Sequence, residues 1–113
     1  LNLAHKEYFK GNYQKAIELF REELIKNPKN SAARFYLAKS YTELSQYDKA
    51  IREYNVLLTD KRMNKDAHKE LGLLYYEIGE SGRSIKNLLE YLKLETDEIE
   101  KQKVKNLIQE IQT

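Results

Sequence analysis

In a chain of 113 residues, 41% are hydrophobic and 34% charged, enough apolar material for a continuous core and too much for a disordered tail. Twenty basic and 18 acidic residues nearly cancel, and Lys and Glu alternate along the same segments instead of gathering on one face, which argues against a nucleic-acid partner. Without cysteine there are no disulfides, thiolate chemistry or zinc–thiolate sites, and the longest apolar run, Leu71–Tyr76, falls far short of the roughly 20 residues that cross a bilayer.

One proline and four glycines leave little turn chemistry for a many-stranded sheet, and Leu, Lys, Glu, Ile and Ala dominate, so the expected class is all-α. A first helix is expected over 1–10. It starts at Leu1 with neither Met nor a secretory leader, which reads as an excised fragment lacking the opening turns of that helix; cytoplasm and periplasm both stay open. After Gly11, Asn12 is placed to cap a second helix over 13–26, with Ala16, Ile17, Phe20 and Leu24 on its apolar side. Beyond Pro28 and the turn residues Lys29 and Asn30, Ser31 is expected to cap a third helix over 31–44, striped by Leu37, Ala38 and Tyr41. A fourth helix over 47–59 carries Ala50, Ile51, Tyr54, Leu57 and Leu58. Asn64 is expected to cap a fifth over 65–78, with Leu71, Gly72 and Tyr75 in line. Ser81 and Gly82 stand before a sixth over 82–94, so that turn should be the least rigid. Asp97 with Glu100 resembles a capping box for a seventh over 97–112, whose single apolar stripe is Val104, Leu107, Ile108 and Ile111.

These helices repeat. Sliding the chain by 34 residues aligns Leu3 with Leu37 and Leu71, Ala4 with Ala38 and Gly72, and Gly11 with Ser45 and Gly79. It also aligns Ala16, Ala50 and Ser84, then Ile17, Ile51 and Ile85, then Phe20, Tyr54 and Leu88, and last Leu24, Leu58 and Leu92. The pattern Leu37-Ala38-x2-Tyr41 followed by Tyr47-x2-Ala50-Ile51-x2-Tyr54, with its counterpart from Leu3 to Pro28, resembles the tetratricopeptide repeat over about residues 1–96. The chain departs from that family's pattern at Arg34 and His68, which stand at its Trp-like position, and at Arg62 and Thr96, which replace the closing proline. The resemblance implies a right-handed α-solenoid of three helix-turn-helix repeats plus a C-terminal capping helix. It would form a single domain over 1–113, divided as 1–30, 31–64, 65–96 and 97–113.

Signs of catalysis are lacking. His5 and His68 lie on different helices without a third ligand, and Gly79-Glu80-Ser81-Gly82 has Arg83 where a nucleophile elbow needs Gly. No Gly-rich phosphate loop occurs, and the carboxylates Glu22, Glu23, Glu98 and Glu100 read as solvated helix positions. No enzyme activity, cofactor or metal is therefore expected.

In the family the first helix of each repeat lines a concave surface. Carried over, the resemblance assigns to that face His5, Tyr8 and Phe9, then Ala32, Phe35, Lys39, Thr42 and Glu43, then Asp66, Lys69, Glu70, Leu73, Tyr76 and Glu77. Rigid aromatics give much contact area at low entropic cost, and Lys39 and Lys69 suit a carboxylate. The implied function is a protein–protein interaction module, an adaptor or assembly scaffold holding a peptide or helix of a partner. Two other readings are a homo-oligomerisation element pairing through the uncovered N-terminal end, and a non-catalytic regulatory domain of a larger protein. Relatives that grip acidic heat-shock tails use cationic and amide side chains where this chain has His5, Tyr36, Asp66 and Glu70, so no useful affinity for such a tail is expected.

Overall fold

The computed structural model describes residues 2–113; Leu1, with which the first helix was expected to begin, lies outside the described residues. Seven helices and no strand occur among them: α1 (Leu3–Phe9), α2 (Tyr13–Lys26), α3 (Ser31–Glu43), α4 (Tyr47–Leu57), α5 (Asn64–Glu77), α6 (Ser81–Leu94) and α7 (Glu98–Gln112). They fall into two compact units, Leu1–Met63 and Asn64–Thr113. In the first unit α1 packs on α2, α2 on α3 and α3 on α4, and α1 also touches α3. In the second, α5 packs on α6 and α6 on α7.

The hairpins are antiparallel, as their short turns require. Asn2 meets Glu23 while Tyr8 meets Tyr13; Arg34 meets Glu53 while Tyr41 meets Lys49; Lys65 meets Glu95 while Gly72 meets Ser84. Each hairpin turns on the same device. The amide of Gly11 donates to the Tyr8 carbonyl (3.0 Å) and that of Asn12 to Glu7 (2.9 Å). Ser45 and Gln46 repeat the pair on Thr42 and Tyr41 (2.9 and 2.8 Å), and Gly79 and Glu80 repeat it on Tyr76 and Tyr75 (3.0 and 2.8 Å). These are Schellman closures, whose pivot needs positive φ. Gly11 and Gly79 supply it at +85° and +84°, whereas Ser45 bears it at +59°. The turn before α6, expected to be the least rigid, carries the same two bonds as the others.

Small residues fall at buried positions of the repeat. Ala4, Ala16, Ala38, Ala50 and Ser84 are buried, with Phe20, Tyr54 and Leu88 filling the space beside them. Val104 and Ile108 of α7 bury against Leu88 and Tyr91, with Leu107 and Ile111 half-covered alongside, so the whole expected stripe faces α6.

The caps need correcting in part. Asn30, not Ser31, caps α3 by accepting from the Ala33 amide at 3.1 Å; Ser31 is already helical and gives its hydroxyl to Asp60. Asn12 occupies the cap of α2 but spends its side-chain amide on Glu7 at 2.7 Å, and Asn64 is the first residue of α5 itself. Asp97 caps α7 through the Ile99 and Glu100 amides, at 2.9 and 3.3 Å. The Glu100 carboxylate does not return to the cap; it lies by Lys69 and Lys103.

Candidate peptide-binding faces

In the first unit, the aromatic side chains of α1 and α3 meet around one ring, Tyr36, which the sequence marks only as a position of the heat-shock clamp. Tyr36 stands 4.9 Å from His5, 5.2 Å from Tyr8 and 6.0 Å from Phe9, edge to face each time. It stacks over Phe20 at 6.2 Å and meets Phe35 at 5.8 Å. Offset and T-shaped ring pairs of this kind add about 0.5–1.5 kcal/mol beyond the area they bury. One signal does point to it. Tyr36 precedes the buried Leu37 and follows Phe35, so α3 shows rings on two sides of its apolar stripe.

The expected site residues of this unit fall into two groups. His5 is half-buried, edge-on to Phe20 at 5.1 Å, with Nδ1 2.8 Å from the Asn2 side-chain oxygen, so its ring is a packing element. Tyr8 is half-buried between Phe9 and Tyr13, while Phe9 keeps 61% of its surface exposed. On α3, Phe35 is half-buried against Tyr54, with the Lys39 ammonium 5.5 Å from its ring centre, a cation–π arrangement. Thr42 turns its hydroxyl back onto the Ala38 carbonyl at 3.0 Å, and Glu43 and Ala32 are exposed. The face is thus a ring-lined shelf with its charge at one side.

In the second unit the expected residues lie along α5. Leu73 and Tyr76 expose 38% and 46% of their surface, and Asp66 and Glu77 are exposed beside them. Glu70 is half-buried. Lys69 is already engaged: its ammonium lies 5.6 Å from the Tyr91 ring centre and 3.7 Å from Glu100.

Behind α5 lies a polar knot that no motif announces. One oxygen of Glu95 accepts the Tyr91 hydroxyl at 2.8 Å and lies 3.3 Å from the Lys65 ammonium; the other accepts the Thr96 and Asp97 amides at 2.9 and 3.1 Å. The Asp97 amide first, then the Tyr91 hydroxyl, hold the carboxyl down to about 2 against the opposing pull of burial. Burial, reinforced by Glu95, pushes the Tyr91 phenol well up, so it stays a donor. His68 settles against Asn87 at 3.0 Å. No cluster of three His, Asp or Glu that could hold a metal occurs among the described residues, and no helix among them is long and apolar enough to cross a membrane.

Comparison with known proteins agrees with the hairpin geometry. A TPR repeat-containing protein of Methanocaldococcus jannaschii is 31% identical over 62 residues, 55% of this chain, which spans only 19% of that relative's length. Among solved structures, the type III secretion translocator chaperone SycD of Yersinia enterocolitica superposes with a TM-score of 0.88 at 19% identity, over 97% of this chain and 79% of its own. The same chaperone in complex with a peptide of the translocator YopD gives 0.88 and 19%, over 97% and 87%. The first TPR of Spaghetti, bound to the HSP90 peptide SRMEEVD, gives 0.84 and 20%, over 96% and 84%. At those identities the likeness speaks for the fold. The family model for the tetratricopeptide repeat matches residues 10–74, more than half of the chain. With the three repeated hairpin closures, that match makes this chain a member of the tetratricopeptide repeat family.

Proposed function

We propose that the chain is a protein-interaction module that holds a peptide or helix of a partner protein on the faces of its first helices: α1 and α3 in the first unit, α5 in the second. The repeats 1–30, 31–64 and 65–96 and the capping helix 97–113 are its segments in this reading. The observation that carries it is the ring shelf of Tyr8, Phe9, Phe35 and Tyr36, held rigid from beneath and open at Phe9. A preorganised aromatic surface loses little entropy when a ligand lands on it. Family likeness adds support, since structurally similar chains are seen with a YopD peptide and an HSP90 peptide. An acidic heat-shock tail is a poor ligand here, because Asp66 and Glu70 stand where the tail-gripping relatives carry cations.

Displayed random peptides selected on the chain should converge on aromatic or aliphatic anchors. Their affinity should fall about ten-fold or more in a Phe35→Ala, Tyr76→Ala double variant, the scale of one lost hot spot. The helical circular-dichroism signal should persist. Selected peptides that bind the double variant as tightly as the parent would place the site elsewhere.

A further inference from the structure

The second unit carries another groove, on the side of α6 that meets α7. It has a volume of about 660 Å³. Ile85, Leu89 and Leu92 form its floor, spaced i, i+4 and i+7 on α6. Ile85 and Leu92 are half-buried against the core, while Leu89 leaves 47% of its surface open. Seven residues of helix cover about 10 Å, the pitch at which a bound helix presents its own i, i+4 and i+7 anchors.

Both banks are cationic: Lys86 and Lys93 stand on α6, Lys101 and Lys105 on α7, and Glu90 is the one acid in the lining. Two of the four have weak partners. Lys93 reaches the half-buried Glu90 at 3.0 Å and Lys101 reaches the exposed Glu98 at 3.7 Å, each one turn away on its own helix, local ion pairs of the kind that contribute little. Lys86 and Lys105 make no ion pair among the described residues. An excess of lysine around an aliphatic stripe selects a ligand with the inverse pattern, apolar along one line and acidic on both flanks. A second copy of this chain fits poorly, because pairing the groove with itself would set lysine banks against each other.

We propose that the α6–α7 groove is a second docking site, distinct from the first-helix faces, and that its occupant is an acidic amphipathic helix of a partner protein.

The test uses a fluorescein-labelled synthetic helix of about 16 residues, long enough to be helical, with Leu at i, i+4 and i+7 and Glu on both flanks. Anisotropy should show saturable, salt-weakened binding to the chain, and the same helix with Lys for Glu should not bind. Lys86→Glu with Lys105→Glu, and separately Leu89→Ser, should each weaken binding about ten-fold or more. Lys86, Leu89 and Lys105 are all exposed, and unchanged circular dichroism checks that the fold survives. The Phe35→Ala, Tyr76→Ala variant should bind this probe normally, which separates the two sites. Absence of saturation, or equal affinity for the charge-reversed variant, overturns the proposal. So does a concentration-dependent dimer that Leu89→Ser dissolves, or binding confined to phosphatidylserine vesicles.

Discussion

The α3–α4 and α5–α6 hairpins share one 34-residue frame and fill it differently. In the first, Ala38 and Ala50 are both fully buried, and the buried Tyr54 packs edge-on to Phe35 at 5.8 Å. In the second, the aligned pair is Gly72 and Ser84, and the aligned large residue is Leu88. A β-carbon on Gly72 would stand 2.5 and 2.6 Å from the Leu88 Cδ2 and Cγ, so the leucine occupies the space an alanine would need. The Ser84 hydroxyl donates to the Gly72 carbonyl at 2.6 Å inside that contact. Glycine within a helix costs about 0.5–1 kcal/mol against alanine, and a hydrogen bond returns about 0.5–1.5 kcal/mol. The frame therefore fixes where a large residue meets a small one, and each repeat is free to choose the pair. Aromatic packing unifies the first unit; an aliphatic contact and the Glu95 knot unify the second.

The largest effect should come from emptying the aromatic solution. Tyr54 is 1% exposed, and Tyr54→Ala should cost about 3–5 kcal/mol in urea unfolding. A loss below about 1 kcal/mol would mean that this ring is not what fills the hairpin.

A smaller effect separates the two hairpins at one aligned position. Gly72→Ala improves helix propensity by about 1 kcal/mol yet should still destabilise, because forcing a methyl into Leu88 costs about 1–3 kcal/mol. The reverse exchange, Ala38→Gly, should also destabilise, by about 1 kcal/mol, the scale of the propensity difference. Stabilisation by Gly72→Ala in a thermal melt would show that Leu88 has room to retreat.

Most of the architecture is legible in the amino-acid sequence. Helix limits agree within a few residues, because apolar stripes at a 3.6-residue period and a strict 34-residue recurrence constrain them twice over. The caps are harder: Asn30 and Ser31 are neighbours of equal propensity, and only the reach of Ser31 to Asp60, 29 residues on, decides between them. The binding face is less legible still. Family position assigns His5 and Lys69 to a ligand, and it does not announce the contacts both make within the chain, His5 in the Tyr36 cluster and Lys69 with Tyr91 and Glu100. Tyr36 and Glu95 escape a reading by period, because their importance lies in partners from other helices and turns, which periodicity does not encode.

The last effect concerns Glu95, and its sign follows from its hydrogen bonds. Its carboxyl is lowered from the ordinary 4.5 to about 2 in the folded chain, so the folded state favours the ionised form more than the unfolded state does. That contribution is fully present above about 4.5 and is lost progressively as pH falls toward 2. Asp60, whose carboxyl is lowered chiefly by the Ser31 hydroxyl, and Glu90, lowered chiefly by Lys93, lend the chain acid sensitivity of their own. The informative quantity is therefore the difference between parent and Glu95→Gln. Urea midpoints measured from pH 7 to pH 2.5 should differ most at pH 7 and converge through that window. Tyr91→Phe removes the hydroxyl donor but leaves the two backbone amides, so it should move the convergence to higher pH without abolishing it. A parent–variant gap that stays constant down to pH 2.5 would assign the effect of Glu95 to shape, and the knot behind α5 would then be held by packing alone.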